Sequence, residues 1–403
     1  MKGAVFHTAF GAVGGAELLA SAQTRLLRES GLDLDIVTFG FAEAPWAELF
    51  GHAPVHRVPR RSWRDLFAYR PTSKWEPRVR RALSTLRSFD TVLAHSQPLA
   101  SLLGRSELPA RRLWYCHEAP WRLHPEAVAY RLLEPLPTEA WLEPLRVAAQ
   151  AVRRQAAGQE RRRRQEVEGT VRLDGIAANS AFARDALRAI YGPIEVRVIP
   201  PLISFPGSAT PRQGLQRDGL QVMVQARLGL LKNVEAVLRG FARYAAGAGR
   251  GAHLHVVGDG EDRLRLEGLL APLGLTGRAT FHGTLDPLRD ADRLEGIFRA
   301  CEVFALLPLD ESFGMVFPEA AARGLLLLGP DHGGPVDILE GGELGACLPV
   351  FEPEALTEAL HAIEALSDSQ VDARRLRAET ACRERYSPAA VLPSLRAWVE
   401  GKE

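Results

Sequence analysis

Two carboxylates in the second half of the sequence have the types and the spacing to bind a ligand rich in hydroxyl groups. Glu311 and Glu319 bracket residues 312–318, which join an apolar run to a helix-forming stretch. Pro318 suits the first turn of a helix, so Glu319 should lie near the positive end of the helix dipole, which favours its ionised form. An ionised carboxylate accepts hydrogen bonds from vicinal hydroxyls. We expect three backbone N–H groups of the intervening loop to add donors: those of Phe313, Gly314 and Met315.

Two cations lie upstream of these carboxylates, where an α/β sheet would bind an anion. Arg227 follows the apolar run 220–224, and open α/β sheets bind ligands at the carboxyl ends of their strands. Arg227 and Lys232 can converge on one diphosphate across a turn, Arg through two parallel hydrogen bonds and Lys as a point charge. Lysine occurs only four times in the chain, and one of the four is here. The spacing alone leaves open that these are two surface cations.

The first half of the chain offers a histidine and a glycine-rich loop. His117 follows the apolar run 113–116, and a neutral imidazole there can hydrogen-bond ligand hydroxyls or face a developing positive charge. The alternative is a structural histidine at the end of a strand. Gly14 and Gly15 precede a helical stretch, so their backbone N–H groups could approach an anion. Glycines in such a turn can also serve packing alone.

The elements that must position these residues alternate between strands and helices, which predicts α/β domains with parallel sheets covered on both faces. The predicted strands are 3–6, 34–39, 91–94, 113–116, 175–178, 220–224, 252–257, 279–282, 303–307 and 325–328. The predicted helices are 16–30, 181–191, 234–246, 261–273, 294–299 and 316–323. Asn179 and Ser180 together are the predicted cap of the second of these helices.

A change in composition separates two such domains. Residues 203–218 are rich in Pro, Gly, Ser and Thr, which is typical of a linker. We therefore predict an N-terminal domain at 1–202, a linker at 203–218, a C-terminal domain at 219–385 and a C-terminal helix at 386–403 that packs back on the first domain.

Composition excludes several classes of protein. The 403 residues are 46% hydrophobic and 25% charged, as in ordinary globular proteins, and the formal net charge is +1. The four cysteines match no zinc or disulfide pattern, so we expect reduced thiols in a cytoplasmic protein. The apolar runs are shorter than the roughly 18–20 residues that span a bilayer.

Residues 56–87 form a strongly basic stretch. They contain ten Arg or Lys residues with Trp and Tyr between them. We expect peripheral contact with an anionic membrane here, on the inner face of the cytoplasmic membrane, because aromatic side chains beside arginines favour an interfacial element. A solvated helix face is the alternative. Nucleic acid is not an expected partner, because no nucleic-acid-binding module accompanies the patch.

Taken together, these motifs resemble a family. The chain is similar to glycosyltransferases of the GT-B fold, in the large retaining family 4 that includes many mannosyltransferases. The Glu-x7-Glu motif with its Ser-Phe-Gly core is the most specific pattern, and the stretch that contains His117 is similar to that of mannosyltransferases. The matching patterns are 14–17, 115–117, 179–180, Arg227 with Lys232, 258–260, 281–283, Glu311 with Glu319, and 333–334.

The resemblance implies two Rossmann-like domains that face each other across a cleft. The domain at 1–202 would be the acceptor-side domain, and the domain at 219–385 would bind the nucleotide sugar. The resemblance also assigns roles to residues. Arg227 and Lys232 would hold the donor diphosphate, Glu319 the ribose and Glu311 the hexose, while His117 would lie near the anomeric centre. The predicted catalytic residues are thus His117, Glu311, Arg227 and Lys232. The other predicted donor-binding residues are Gly14, Gly15, Gly258, His282, Phe313, Gly314, Met315 and Glu319.

The resemblance also implies the reaction. A hexose would move, with retention of anomeric configuration, from GDP-mannose or a UDP-hexose to a lipid-linked or glycan acceptor. No metal or other cofactor is expected, and we interpret the two Asp-x-Asp triplets, at 33–35 and 290–292, as accidental. Either the leaving phosphate or Glu311 could act in the chemical step. A sugar-nucleotide epimerase of the same shape and a non-catalytic nucleotide-sugar-binding subunit are the alternatives.

Overall fold

A computed structural model describes residues 1–11, 14–58, 76–127, 130–205, 214–216, 218–248, 251–286 and 289–402, with backbone alone for 76–80. The chain forms two compact units. The first contains Met1–Val128, Gln155–Leu202 and Pro388–Glu403, and the second contains Ala129–Arg154 and Ile203–Ser387. Within the described residues, no helix combines the length and the apolar character that crossing a membrane requires.

The first unit is built on a parallel sheet with the strand order β3-β2-β1-β4-β5-β6-β7. Its interior strands are buried and apolar because helices cover both faces. Phe6 lies opposite Ala94 and Ala94 opposite Trp114, so the carboxyl ends of β1, β4 and β5 meet at one edge. The strands are β1 (Lys2–His7), β2 (Asp33–Thr38), β3 (Val55–Arg57), β4 (Thr91–Ala94), β5 (Arg111–Cys116), β6 (Gly175–Ala178) and β7 (Arg197–Val198).

Helices follow most of these strands. Of the two predicted cap residues, Ser180 is the N-cap of the helix Ala181–Tyr191, and its hydroxyl accepts a hydrogen bond from the Ala183 N–H at 3.0 Å. The described helices of this unit are Gly15–Glu29, Trp46–Leu49, Glu76–Leu86, Leu99–Gly104, Glu160–Thr170, Ala181–Tyr191 and Pro388–Glu400. The helix Glu143–Ala156 begins in the second unit and ends in the first.

The second unit repeats the design with a parallel sheet of order β10-β9-β8-β11-β12-β13. Its strands are β8 (Gln221–Gln225), β9 (His253–Val257), β10 (Ala279–Gly283), β11 (Val303–Ala305), β12 (Leu326–Pro330) and β13 (Ala346–Leu348). Its other helices are Val234–Gly247, Arg263–Gly268, Ala291–Ala300, Val316–Ala321, Pro335–Ile338, Pro353–Glu364 and Asp368–Tyr386.

The predicted strands are confirmed to within two residues at each end, but two predicted helices are wrong in length. The helix Ala291–Ala300 begins three residues before the predicted 294–299. Regular helix covers only Arg263–Gly268 of the predicted 261–273. Gly268 is a weak helix former, and Pro272 lacks the N–H that the next turn would need. The short strands β3, β7 and β13 have two or three residues each and were not predicted.

The chain passes between the units four times, because Ala129–Arg154 groups with the second unit and Pro388–Glu403 with the first. The predicted domain at 1–202 did not anticipate that Ala129–Arg154 groups with the second unit. Within that unit, the buried carboxylate of Asp310 holds this segment by accepting hydrogen bonds from the N–H groups of Arg131 at 2.9 Å and Leu132 at 3.3 Å. Residues 206–213 and 217 of the predicted linker lie outside the described residues.

Candidate active site

An ion pair joins two of the predicted donor-binding residues in the second unit. The Lys232 ammonium lies 2.5 Å from a carboxylate oxygen of Glu311, and both side chains are partly exposed. Lys232 ends a turn at Leu230–Lys232, whereas Glu311 follows β11 after five residues. The fold therefore brings together a cation and a carboxylate that are 79 residues apart in sequence.

Three hydrogen bonds fix the loops that carry this pair. Asn233 is buried in a left-handed conformation, and its amide donates to the carbonyls of Leu307 at 3.0 Å and Val350 at 2.8 Å. On the other side, the N–H of Gly334 donates to the Glu311 carbonyl at 2.8 Å. A Cβ at Gly334 would lie 2.0 Å from the Ser312 carbonyl oxygen, so only glycine allows this close approach. The sequence motif 333–334 thus has a structural reason here.

The loop after Glu311 presents backbone donors. Among the described residues, no hydrogen bond uses the N–H groups of Phe313, Gly314 and Met315. Gly314 has a φ of 90°, which glycine adopts readily. The Phe313 ring is buried edge-on against Tyr386, with 5.2 Å between centroids. Because its ring is buried, Phe313 would contact a ligand through its backbone N–H.

Glu319 lies in the first turn of the helix Val316–Ala321, as predicted, but its protonation differs from the prediction. Burial raises the pKa of Glu319 to about 7, while the nearby Arg323 opposes this shift. In a partly buried position, desolvation of the charge outweighs the helix dipole. Within the described part of the chain, no hydrogen bond or ion pair involves the Glu319 carboxyl group. The group is available to a ligand.

Arg227 follows β8 and extends into solvent. Its side chain is 77% exposed, and one guanidinium nitrogen lies 3.1 Å from the Glu261 carboxylate, which is also exposed. A surface pair of this kind contributes little to stability and can reorganise readily. Arg227 and Lys232 therefore pair with different carboxylates in this structure, and their convergence on one diphosphate stays a prediction.

Gly258 and His282 have partners of their own. The N–H of Gly258 donates to the Gly283 carbonyl at 2.9 Å, and a Cβ at Gly258 would lie 1.8 Å from the Ala226 carbonyl oxygen. Backbone packing alone therefore requires this glycine. The His282 ring stacks on His255, with 3.0 Å between their facing nitrogens. The backbone carbonyl of His282 accepts a hydrogen bond from Arg293 at 3.5 Å.

The first unit places three histidines at the carboxyl edge of its sheet. His7 ends β1, His95 follows β4 and His117 follows β5. The facing nitrogens of His95 and His117 are 3.1 Å apart. Asn179, after β6, donates from its amide to the His117 carbonyl at 2.7 Å. Only His117 was predicted from sequence; His7 and His95 were missed, although each also lies at the carboxyl end of a buried strand.

Burial keeps these imidazoles neutral. Desolvation lowers the pKa of His7 to about 4, and burial together with His7 lowers the pKa of His117 to about 3. The pKa of His95 lies well below its ordinary value, because burial and the two neighbouring histidines disfavour a charge. At neutral pH this edge offers uncharged donors and acceptors.

Gly14 and Gly15 stand at the start of the helix Gly15–Glu29, where Gly14 is the N-cap. A Cβ on Gly15 would meet nothing within 4 Å, so packing within the described protein does not require this glycine. Glu17 lies in the first turn, with a carboxylate oxygen 3.9 Å from His7 Nε2. Burial raises the pKa of Glu17.

Two sequence motifs remain to be located, the basic stretch 56–87 and the first Asp-x-Asp triplet. Residues 59–75 of the basic stretch 56–87 lie outside the described residues, as do the side chains of 76–80. In the first Asp-x-Asp triplet, Asp35 is buried, 2.8 Å from His56 Nε2 and 3.5 Å from the Lys2 ammonium. This is a structural contact in the first sheet. No trio of His, Cys, Asp or Glu in the described ranges is arranged to hold a metal ion.

Two family models match successive parts of the chain. Residues 13–204 match the model described as Glycosyltransferase Family 4, and residues 210–380 match that described as Glycosyl transferases group 1. Together they cover most of the chain. The motifs that contain His117 lie within the first match, and those that contain Lys232, Glu311 and Glu319 lie within the second.

Curated relatives and solved structures agree with these matches. The chain is 34% identical over 140 residues to a GDP-mannose-dependent alpha-mannosyltransferase of Mycobacterium tuberculosis, which covers 34% of this chain and 33% of the relative. It is 29% identical over 204 residues to a D-inositol 3-phosphate glycosyltransferase of Acidothermus cellulolyticus, and this match covers 46% of this chain and 45% of the relative. The matches thus span about a third to a half of these relatives. The Anabaena protein HepE, solved with UDP and glucose, has the same fold, with a TM-score of 0.73, 18% identity and full coverage of both chains.

Proposed function

The chain belongs to the GT-B glycosyltransferases of the family 4 type, and from that membership we propose that it transfers a hexose from a nucleoside-diphosphate sugar to a glycan or lipid-linked acceptor. The observation that carries the proposal is the pairing of Lys232 with Glu311 beside three unbonded backbone N–H groups. One loop system thereby offers a positive charge, a carboxylate acceptor and N–H donors. A sugar diphosphate has the complementary groups.

Each part of the donor has a proposed partner. Lys232 and Arg227 bind the diphosphate, Glu319 accepts from the ribose hydroxyls, and Glu311 binds hexose hydroxyls. Glu311 and Lys232 are each other's partner without ligand. A donor would replace this direct contact, with its phosphate on the ammonium and its hydroxyls on the carboxylate. A ligand that satisfies both groups leaves neither charge unpaired.

The charges suit the departure of a nucleoside diphosphate. Breaking the glycosidic C–O bond leaves negative charge on the diphosphate and positive character on the sugar ring. Cations at the phosphate stabilise the first, and we propose that His117, which burial keeps neutral, adds no repulsion to the second. We propose that the leaving phosphate oxygen accepts the proton of the acceptor hydroxyl on the same face, which retains the anomeric configuration.

The proposed donors are GDP-mannose and UDP-hexoses. The mannosyltransferase relative is named for its use of GDP-mannose, and HepE was solved with UDP and glucose. These two proteins therefore point to different bases, and the base of this chain's donor has to be identified by binding.

A thermal-shift experiment tests the donor directly. We expect one of GDP-mannose, UDP-glucose and ADP-glucose to raise the Tm, because a ligand that binds only the folded state at 100 times its Kd adds about 2.7 kcal/mol of stability. The Lys232→Ala variant with the same sugars is the control and should lose the shift. If none of the three changes the Tm at millimolar concentration, nucleotide-sugar binding is wrong.

The basic stretch 56–87 supports a proposed membrane-borne acceptor. We predict salt-sensitive binding to vesicles that contain an anionic lipid, because a cluster of arginines attracts such surfaces and the Debye length falls from about 10 Å at 0.1 M salt to about 3 Å at 1 M. Co-sedimentation at both salt concentrations measures it. The six-fold variant that should lose binding replaces Arg60, Arg61, Arg64, Arg78, Arg80 and Arg81 by Gln.

Donor affinity is the control for this variant and should not change. If the wild-type protein stays in the supernatant with anionic vesicles at low salt, the stretch is a solvated face. A soluble glycan then becomes the better proposal for the acceptor.

A further inference from the structure

Two imidazoles at the carboxyl edge of the first sheet share one hydrogen bond. His95 Nδ1 and His117 Nε2 are 3.1 Å apart, with 5.3 Å between ring centroids. His95 is only 3% exposed, whereas His117 is partly exposed. Both rings are neutral at pH 7, so each carries one proton on its two nitrogens. One proton lies between the rings, and it is bonded either to His95 Nδ1 or to His117 Nε2.

The environment of His95 answers this question. If His117 donated from Nε2, the proton of His95 would sit on its own Nε2. That atom is buried and has no hydrogen-bond partner among the described residues. A buried N–H without an acceptor is among the rarest arrangements in folded proteins. If His95 instead donates from Nδ1, its Nε2 carries only a lone pair. This arrangement leaves no buried N–H of His95 without an acceptor.

We infer that His95 is a positioning residue, which donates from Nδ1 to His117 Nε2 and so fixes His117 as the tautomer that carries its proton on Nδ1. The Nδ1 atom of His117 makes no hydrogen bond within the described part of the chain. His117 therefore presents an N–H donor to a ligand at this edge. Its ring is held from one side by His95 and through its backbone carbonyl by Asn179.

A fixed donor has a consequence for the ligand. An Nδ1–H group can donate to a hydroxyl, carbonyl or phosphate oxygen, but it cannot accept a proton. This inference deepens the proposed function and rests on it for the identity of the ligand, a sugar or its leaving group. In that reaction His117 orients an oxygen as a neutral donor and does not act as a general base.

Nitrogen NMR of the full-length protein tests the tautomer without any substrate. In a sample labelled with ¹⁵N at histidine, the shifts of the two ring nitrogens report which one is protonated, and the His117→Asn variant identifies the signals. We expect the wild-type His117 to be protonated on Nδ1. A proton on Nε2 would overturn the inference.

Variants of His95 test whether it sets this tautomer. His95→Leu removes the donor and should shift the His117 proton at least partly to Nε2. His95→Asn can place an amide N–H near the lost Nδ1–H and should restore the wild-type signals. His124→Asn removes another buried imidazole of the same unit, paired at 2.8 Å with Glu166, and should leave His117 unchanged. Wild-type His117 signals in His95→Leu would contradict the role of His95.

Turnover gives a second readout. With a donor that the thermal-shift experiment identifies, His95→Leu should lower kcat by about tenfold or more with little change in donor Kd, and His95→Asn should recover most of it. Equal loss in both variants would argue for a purely structural role and against the inference. If the wild type transfers no sugar at all, the proposed function fails, while the NMR result still decides the tautomer.

Discussion

Replacing Lys232 by Ala is expected to remove roughly 2–4 kcal/mol of transition-state stabilisation, the typical loss of one preorganised donor to developing charge, and Arg227→Ala is expected to do the same. The reason is that negative charge grows on the diphosphate as the C–O bond breaks. In Lys232→Ala the Glu311 carboxylate also loses its partner at 2.5 Å and would face the incoming phosphate unshielded. Measured kcat/KM for transfer, or for donor hydrolysis, reports the loss.

The matched control is Arg243→Ala. Arg243 is an exposed cation of the same unit, paired with the exposed Glu354 on the helix Pro353–Glu364. Its removal changes the net charge equally and should leave turnover at the wild-type level. Turnover within threefold of wild type in both Arg227→Ala and Lys232→Ala would contradict the assignment of the diphosphate site.

Conservative changes in the two glutamates should separate the two halves of the donor. If Glu319 accepts from the ribose, Glu319→Gln should weaken binding of nucleoside diphosphate and nucleotide sugar alike, by about ten- to a hundredfold, since hydrogen bonds to a charged group contribute roughly 1.5–3 kcal/mol. Glu311→Gln should spare nucleoside diphosphate affinity and lower sugar-dependent turnover. Isothermal titration calorimetry with both ligands measures this pattern, and the opposite pattern would exchange the two roles.

The raised pKa of Glu319 adds a pH dependence with a defined sign. The carboxyl group has a pKa of about 7 in the free protein and binds the diol best when ionised. Affinity should therefore rise as the pH increases through 7 and level off above pH 8. A nucleotide sugar is the right probe, because the terminal phosphate of a free diphosphate titrates near pH 6 itself. Glu319→Gln should flatten the profile; a flat wild-type profile would mean that Glu319 does not contact the ligand.

The strands were predictable from sequence, because apolar runs bounded by polar residues are sufficient to mark strands buried on both faces. Glu311, Glu319, Arg227 and Lys232 could be selected for the same reason, since each follows such a run or opens a helix. The pairing of Lys232 with Glu311 could not be predicted, because it depends on β8 and β11 being neighbours in the sheet.

Sheet order also explains what was missed. His7, His95 and His117 become neighbours only because β4 lies between β1 and β5. Nothing in the local sequence around His95 reveals that order. The ionisation of Glu319 was mispredicted because the helix dipole is a local property, whereas burial is produced by residues distant in sequence.

The four passages of the chain between the units bear on its synthesis. The helix Pro388–Glu400 completes the first unit: Arg396 donates to the Ser30 carbonyl at 2.9 Å, and Trp398 packs edge-on against Tyr115. Residues 203–387 must be translated before that helix exists, which takes roughly 10–40 s at 5–20 residues per second. During that interval the first unit lacks its closing helix, so the nascent chain exposes the apolar surface against which Val391, Leu395 and Trp398 are buried in the folded protein.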